Sequence, residues 1–466
     1  MVTSSGEQQR LGLDLLVNVD RDGDVPLRAQ LEDQLRDGIR RGALHGGTAL
    51  PSTRALAAEL GVSRGVVVEA YAQLAAEGFL VARPGAATRV ASVAVHDPEP
   101  AKEEVLAPPV RFDLRTLAAD LSAFPRRAWG AALRDALREL PDASLNYGDR
   151  VGAGELRTVL ASYLGRARGV AAEPRDVIVV TGIMQAVSLL ARTLRRAGVE
   201  RVGVEDPGFP PHRMVFAREG LRVVPIPVDE GGLVVDGLDA AGIGAVLCTP
   251  THQYPRGMAL APERRAALVE WAAARDGWII EDDYDGEYRF DRDPVGALQA
   301  LAPARVTYLG SASKTLAPAL RLGWMVVAPE LVEGVSEAKA LADGGTPVLD
   351  QLALARFIEH GELDRHLRRM RGVYRRRRDT LVSAAERWVP EVELEGISAG
   401  LHVSARLPEG VVLGPLLSRA WEGGIGVFGY EHDGVARVLL GYANLPEPSV
   451  EPAIRALAQI GFGTST

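Results

Sequence analysis

The chain has 466 residues, 47% apolar and 24% charged, with a net charge of −8. That length exceeds one ordinary core and sets an expectation of two or three domains. No apolar run reaches the roughly 18–20 residues of a membrane span and no signal peptide is visible, while the acidic balance excludes a chain that binds nucleic acid along its whole length.

The first stretch, MVTSSGEQQR, is polar, and residues 1–24 are expected to form a flexible N-terminus. Leu27, Leu31, Leu35 and Ile39 then recur every four residues, which is one apolar face of a helix. The helix should end near Gly42. A second begins at Pro51-Ser-Thr-Arg54 with Ser52 as N-cap, carries Leu56, Ala57 and Leu60, and stops at Gly61. Ser63 caps a third, with Val67, Ala70, Tyr71 and Leu74 on one face and an end at Glu77-Gly78. The short Gly-containing turn between the last two is helix-turn-helix punctuation. Phe79–Val81 and Thr88–Val90 read as two short strands around Pro84-Gly85, so residues 25–92 read as a winged helix-turn-helix. Eight arginines against six acids give this module +2 and leave −10 for the remainder.

LPSTRALAAELGVSRGVVVEAYAQLAAEGFLVARPG resembles the GntR class of DNA-binding domains. The resemblance implies that Ser52, Thr53, Arg54, Ser63, Arg64 and Arg83 touch double-stranded DNA. The first residues of a recognition helix reach base edges, arginine reads guanine bidentately, and helix starts favour phosphate. Gly65 departs from the family, which usually has a hydroxyl residue there.

Residues 93–112, SVAVHDPEPAKEEVLAPPVR, are Pro- and Glu-rich without period and read as a linker. From 113 to 466 apolar runs alternate with helical patterns. Val177–Val180, Val202–Val204, Ala245–Leu247, Trp278–Ile280 and Val306–Leu309 read as buried strands. This predicts an α/β unit with a mostly parallel sheet and helices on both faces. Ligands bind such sheets beyond the carboxyl ends of the strands.

Those ends carry, in order, the turn Thr181-Gly-Ile-Met-Gln185, an aromatic ring at Phe209, the loop Thr249–Gly257, the acidic Glu281-Asp-Asp-Tyr284, and Ser311-Ala-Ser-Lys314 with Arg321. Lysine is rare here: only Lys102, Lys314 and Lys339 among 53 Lys+Arg. Taken singly, Asp282 reads more readily as a loop carboxylate, Phe209 as core and Arg321 as a surface ion pair. Together they describe a phosphorylated aromatic ligand with a basic ring nitrogen and an aldehyde, which is pyridoxal 5'-phosphate. Its aldehyde needs an amine that can lose a proton, which arginine cannot do; its ring nitrogen wants a carboxylate and its phosphate a helix start and a guanidinium. The scattered histidines offer no metal-ligand spacing, and no metal is expected. The lone Cys248 permits no internal disulfide and fits a reducing cytoplasm.

Residues 113–466 resemble fold-type I aminotransferases, and GSASKTLAPALRLGW is similar to their Schiff-base signature. The resemblance implies a smaller C-terminal α+β part and these roles. Lys314 condenses with the cofactor aldehyde. Ser311 and Arg321 hold the phosphate with the turn at Gly182, Ile183 and Met184, and Ser313 also binds the cofactor. Asp282 pairs with the ring nitrogen, Tyr284 faces the ring hydroxyl and Phe209 stacks on the ring. Tyr147, in LNYGDRVGAGELR, reaches the neighbouring subunit's cofactor. Arg437, in ARVLLGYANLPE, takes a substrate or effector carboxylate. Three departures point away from efficient transamination. Tyr254 replaces an asparagine, Ile183 and Met184 replace Ser and Gln, and Tyr284 follows Asp282 by two residues instead of three. The basic run His366–Arg378 keeps Leu367, Met370, Val373 and Tyr374 at helical spacing and reads as a solvated helix face.

With both modules in one chain, the sequence resembles the MocR/GabR group of bacterial regulators. That implies a cytoplasmic homodimer that binds operator DNA and senses a small amino compound, or the cofactor itself. The alternative is a working aminotransferase with a tethered DNA-binding domain.

Overall fold

The computed structural model describes residues 17–83, 86–92, 110–116, 119–290 and 295–462. The chain divides into two compact units, Met1–Ala107 and Pro108–Thr466.

The first unit contains α1 (Leu27–Arg40), α2 (Thr53–Glu59), α3 (Arg64–Ala76) and the antiparallel pair β1 (Leu80–Val81) and β2 (Arg89–Val90). The four-residue spacing does what it predicts: Leu31, Leu35 and Ile39 are buried together with Leu56, Val67, Ala70 and Leu74. Burying each such side chain contributes about 1.5–3 kcal/mol. Ser52 caps α2 by accepting from the Ala55 N–H at 3.2 Å. Ser63 stands at the N-cap of α3 but its hydroxyl makes no capping bond.

Within the expected flexible N-terminus, residues 17–24 make contacts to the first unit, while residues 1–16 lie outside the described residues. Val17 is buried in the small core. The Asn18 and Asp20 N–H groups donate to Gln34 and Gln30 at 2.7 and 2.8 Å, and Arg21 donates to the Gly61 carbonyl at 2.5 Å. The linker also ends earlier than expected. The Arg111 N–H already donates to the Gly424 carbonyl at 2.7 Å, and β3 (Phe112–Asp113) forms a parallel pair within the second unit. Residues 93–109 lie outside the described ones.

The second unit is built on an eight-stranded sheet. Its strands are β4 (Val177–Val180), β5 (Arg201–Asp206), β6 (Arg222–Asp229), β7 (Gly232–Leu233), β8 (Ala245–Cys248), β9 (Trp278–Asp282), β10 (Val306–Ser311) and β11 (Gly323–Val326). Their spatial order is β4-β11-β10-β9-β8-β5-β6-β7. Pairing is parallel from β10 through β9, β8 and β5 to β6, while β11 runs antiparallel to both β10 and β4. All five expected strands are present; β6, β7 and β11 were not expected. Alternate residues serve the two faces. Leu247 and Ile280 pack against the helices Ile183–Arg196 and Val332–Asp343, while Val246, Cys248 and Ile279 pack against Pro262–Arg275.

The remaining strands are β12 (Glu393–Glu395), β13 (His402–Arg406), β14 (Ile425–Gly426), β15 (Phe428–His432) and β16 (Val435–Gly441). A four-stranded antiparallel sheet orders them β12-β13-β16-β15, and β14 pairs with β3. Within the helix Glu362–Trp388, Leu367, Met370 and Tyr374 are buried as the spacing required. No helix among the described residues is long and apolar enough to cross a membrane.

Candidate functional site

The loops at the carboxyl ends of β4, β5, β8, β9 and β10 converge on a cavity of about 260 Å³. Ten residues singled out in the sequence line it: Gly182, Ile183, Met184, Phe209, Asp282, Tyr284, Ser311, Ser313, Lys314 and Arg321. Thr116, His212, Thr249, Tyr254 and His402 line it too, and sequence reasoning assigned none of them a binding role. His212 sits in the first turn of the helix Pro210–Arg218, three residues after Phe209, a helical spacing that was readable in the sequence.

Consider first the turn after β4. Gly182 has φ 128°, a conformation side chains rarely adopt, and a Cβ there would stand 3.1 Å from Arg321 Nη2. Arg321 itself has φ 51°, unusual for a non-glycine residue. Its backbone N–H donates to the Pro318 carbonyl at 3.3 Å, and its guanidinium makes no hydrogen bond or ion pair among the described residues. The turn is braced from behind. Thr181 N–H donates to Gln185 Oε1 at 2.8 Å, and Gln185 Nε2 donates to Asp343 at 2.7 Å. Lys339, wholly buried, donates to the same Asp343 oxygen at 2.7 Å. The helix Ile183–Arg196 starts here, so its first N–H groups and an unpaired guanidinium are available to one anion.

A second group surrounds Asp282, at the end of β9. Its Oδ1 is buried without a hydrogen-bond partner. Its Oδ2 lies 3.7 Å from His212 Nε2, but burial pushes His212 down to about 4, so this contact is not an ion pair at neutral pH. Burial, reinforced by Asp283, Glu205 and Asp285, pushes the Asp282 carboxyl up to about 7. A buried carboxylate oxygen without a donor suits a cationic N–H.

Lys314 follows β10. Its Nζ donates to the Thr116 carbonyl at 3.3 Å. Burial lowers its pKa, against the opposing pull of Asp285 and Asp282, which eases loss of the proton. The Phe209 ring stands edge-on to His212 at 5.0 Å and to Tyr254 at 5.7 Å between centroids. Tyr284 touches His252, which in turn touches Asp285.

Two expected residues are not brought in. Arg437 does not line the cavity, and its guanidinium is held by both Glu395 oxygens at 2.7 and 3.1 Å. Tyr147 is 97% exposed and lies outside the cavity of its own chain.

In the first unit, Ser52, Arg54, Ser63, Arg64 and Arg83 are exposed and Thr53 is half-buried. Thr53 and Arg64 are the first residues of α2 and α3, and Arg64 Nε donates to Thr53 Oγ1 at 3.4 Å. Arg83 follows β1, next to Pro84-Gly85, which lie outside the described residues. Helix starts, exposed hydroxyls and arginines are therefore on one helix-turn-helix, as phosphate and base contacts require.

Two family models match this chain: "Bacterial regulatory proteins, gntR family" over residues 27–90 and "Aminotransferase class I and II" over residues 118–397. It is similar to the HTH-type pyridoxine biosynthesis transcriptional regulator PdxR of Corynebacterium glutamicum, 36% identical over 84% of this chain and 86% of that one. It is also similar to the probable rhizopine catabolism regulatory protein MocR of Rhizobium meliloti, 34% identical over 83% of each. Among solved structures, kynurenine aminotransferase of Pyrococcus horikoshii, in complex with PMP and kynurenine, has TM-score 0.68 and 28% identity over 75% of this chain and 90% of that one. With a GntR-type winged helix-turn-helix followed by an aminotransferase class I and II domain, the chain belongs to the MocR/GabR-type transcriptional regulators.

Proposed function

We propose that the second unit binds pyridoxal 5'-phosphate and that its ligand state sets operator binding by the first. The observation that carries this reading is one cavity lined by an unpaired Arg321, a partnerless Asp282 oxygen and Lys314. These three fit the phosphate, the ring nitrogen and the aldehyde. When bound, the cofactor supplies a carbonyl that amines condense with and a ring that draws electrons. Lys314 provides the amine that can give up its proton. Asp282 holds a proton on the ring nitrogen. Arg321, Ser311, Ser313 and the first N–H groups of the helix Ile183–Arg196 hold the phosphate. Phe209 covers the ring, and Tyr284 faces the ring hydroxyl.

The signal is a small amino compound that competes with Lys314, or the cofactor itself. The Corynebacterium relative named for pyridoxine biosynthesis supports the second. Either ligand must bind one conformation of the regulator better than another to move the operator equilibrium. The protein acts in the cytoplasm as a homodimer in which Tyr147 reaches the neighbouring subunit's cofactor, a reading supported by its exposure in the single chain. Ser52, Thr53, Arg54, Ser63, Arg64 and Arg83 contact the operator.

The test uses the full chain and the DNA flanking its own gene. Wild type loaded with pyridoxal phosphate should absorb in the visible and bind that DNA with strong salt dependence. Lys314→Ala should lose the visible absorption and the response of operator affinity to ligand. A wild type that takes up no cofactor, or a Lys314→Ala variant that responds normally, overturns the proposal.

A further inference from the structure

Beside the cavity, two buried side chains without a part in holding the cofactor converge on Tyr284. His252 Nδ1 lies 3.0 Å from the Tyr284 hydroxyl and 2.9 Å from Asp285 Oδ2. His252 and Asp285 are each 2% exposed, so water does not mediate between them. They come from different strand ends, His252 from the loop after β8 and Asp285 from the loop after β9. Gly400, with φ 73°, closes over them: a Cβ there would collide with both the imidazole and the carboxylate.

Two groups share one nitrogen, and that restricts the protons. An ionised carboxylate only accepts, so facing Asp285 requires a proton on Nδ1. Tyr284 can then only accept from that nitrogen, which leaves its own hydroxyl proton for another acceptor. The opposite arrangement, a bare Nδ1 receiving from Tyr284, would set a buried carboxylate against a lone pair and leave it without its donor. The surrounding charges agree. Burial, then Asp285, Tyr254, Asp282 and Glu205, hold the Tyr284 phenol well above its ordinary value, so it keeps its proton. The adjacent His402, its ring 5.2 Å from that of His252, is pushed down to about 3 by burial, with His252 and Lys314 adding to the effect, and brings no charge of its own.

We infer that Asp285 and His252 are positioning residues that keep the Tyr284 hydroxyl as a donor to the ring hydroxyl oxygen of bound pyridoxal phosphate. The inference rests on the cofactor reading above. A donor at that oxygen favours its ionised form, so the dyad lowers the pH at which the bound cofactor's visible absorption changes.

The experiment compares full-length wild type, His252→Phe, Tyr284→Phe and the double variant, each loaded with pyridoxal phosphate, by pH titration of the visible absorption. Each single change should move the midpoint upward by about one pH unit, the tenfold effect of one charge-assisted hydrogen bond. The double variant should match Tyr284→Phe alone, because His252 acts through that hydroxyl. His252→Gln, which can still donate to Asp285, should recover most of the shift. An unmoved midpoint in His252→Phe, or the same His252 effect with and without the Tyr284 hydroxyl, overturns the dyad. If His252→Phe does not fold, Asp285→Asn decides: an upward shift supports the dyad and an unchanged midpoint sinks it. A wild type without visible absorption refutes the cofactor reading itself, and the dyad with it; a loaded wild type with unmoved variants refutes the dyad alone.

Discussion

Replacing Asp282 by Asn should have effects of opposite sign on the cofactor-free and the loaded protein. In the free protein the carboxyl is buried, Oδ1 lacks a donor, and its pKa rises from 3.8 to about 7. At about 1.36 kcal/mol per pH unit, ionising it costs the fold about 4 kcal/mol as a ceiling. The neighbouring Asp283, Glu205 and Asp285 share that cost, so about 1–3 kcal/mol is expected from Asp282 alone. The sign follows from a raised acid: the penalty is absent below about pH 4, grows as pH rises, and is complete above about pH 7. Asp282→Asn should therefore stabilise the cofactor-free chain at about pH 8 and do much less at about pH 5. With cofactor the variant loses a charge-assisted hydrogen bond to the ring nitrogen, worth about 1.5–3 kcal/mol, so affinity should fall about 10- to 100-fold. Urea unfolding at the two pH values and cofactor titration by absorbance measure both arms. A variant less stable than wild type at the higher pH, or a gain equal at both, would refute the reasoning.

Gly182→Ala puts a Cβ at φ 128° and 3.1 Å from Arg321 Nη2, so it should displace that guanidinium and weaken cofactor binding about tenfold or more. Operator binding by cofactor-free protein should be unchanged, and an unaltered cofactor Kd would contradict the assignment of this turn. Arg437→Ala breaks a largely buried pair with Glu395 and should lower stability by about 1–3 kcal/mol in urea unfolding. Its response to amino compounds should match wild type; a specific loss of response would restore Arg437 as a ligand contact.

The strand ends were legible because each of the five runs is apolar and bounded by polar turns, which suits strands buried on both faces. Their direction was not. Gly323–Val326 is four apolar residues long, and nothing in four residues says that it inserts antiparallel between β10 and β4. Arg437 shows a different limit. The sequence places a cation on a late strand, but its partner Glu395 lies 42 residues earlier, and only the register of β12, β13 and β16 brings them together. The segment 17–24 looked frayed because it is polar. Its contacts are to Gln30, Gln34 and the carbonyl of Gly61, partners 10 to 40 residues away that leave no local pattern. The His252–Asp285 contact spans two loops and was hidden for the same reason.

The scarcity of lysine has a practical consequence. Lys339 is wholly enclosed and tied to Asp343 and Thr346, and Lys102 lies outside the described residues. Amine-directed chemistry on the native chain thus meets few competitors for Lys314, whose nitrogen is the one a bound aldehyde would cover. Reductive alkylation followed by mass spectrometry of the single peptide spanning Gly310–Arg321 would read cofactor occupancy directly, in a mixture and without purification to a coloured protein. In an arginine-rich chain, one amine becomes a built-in reporter.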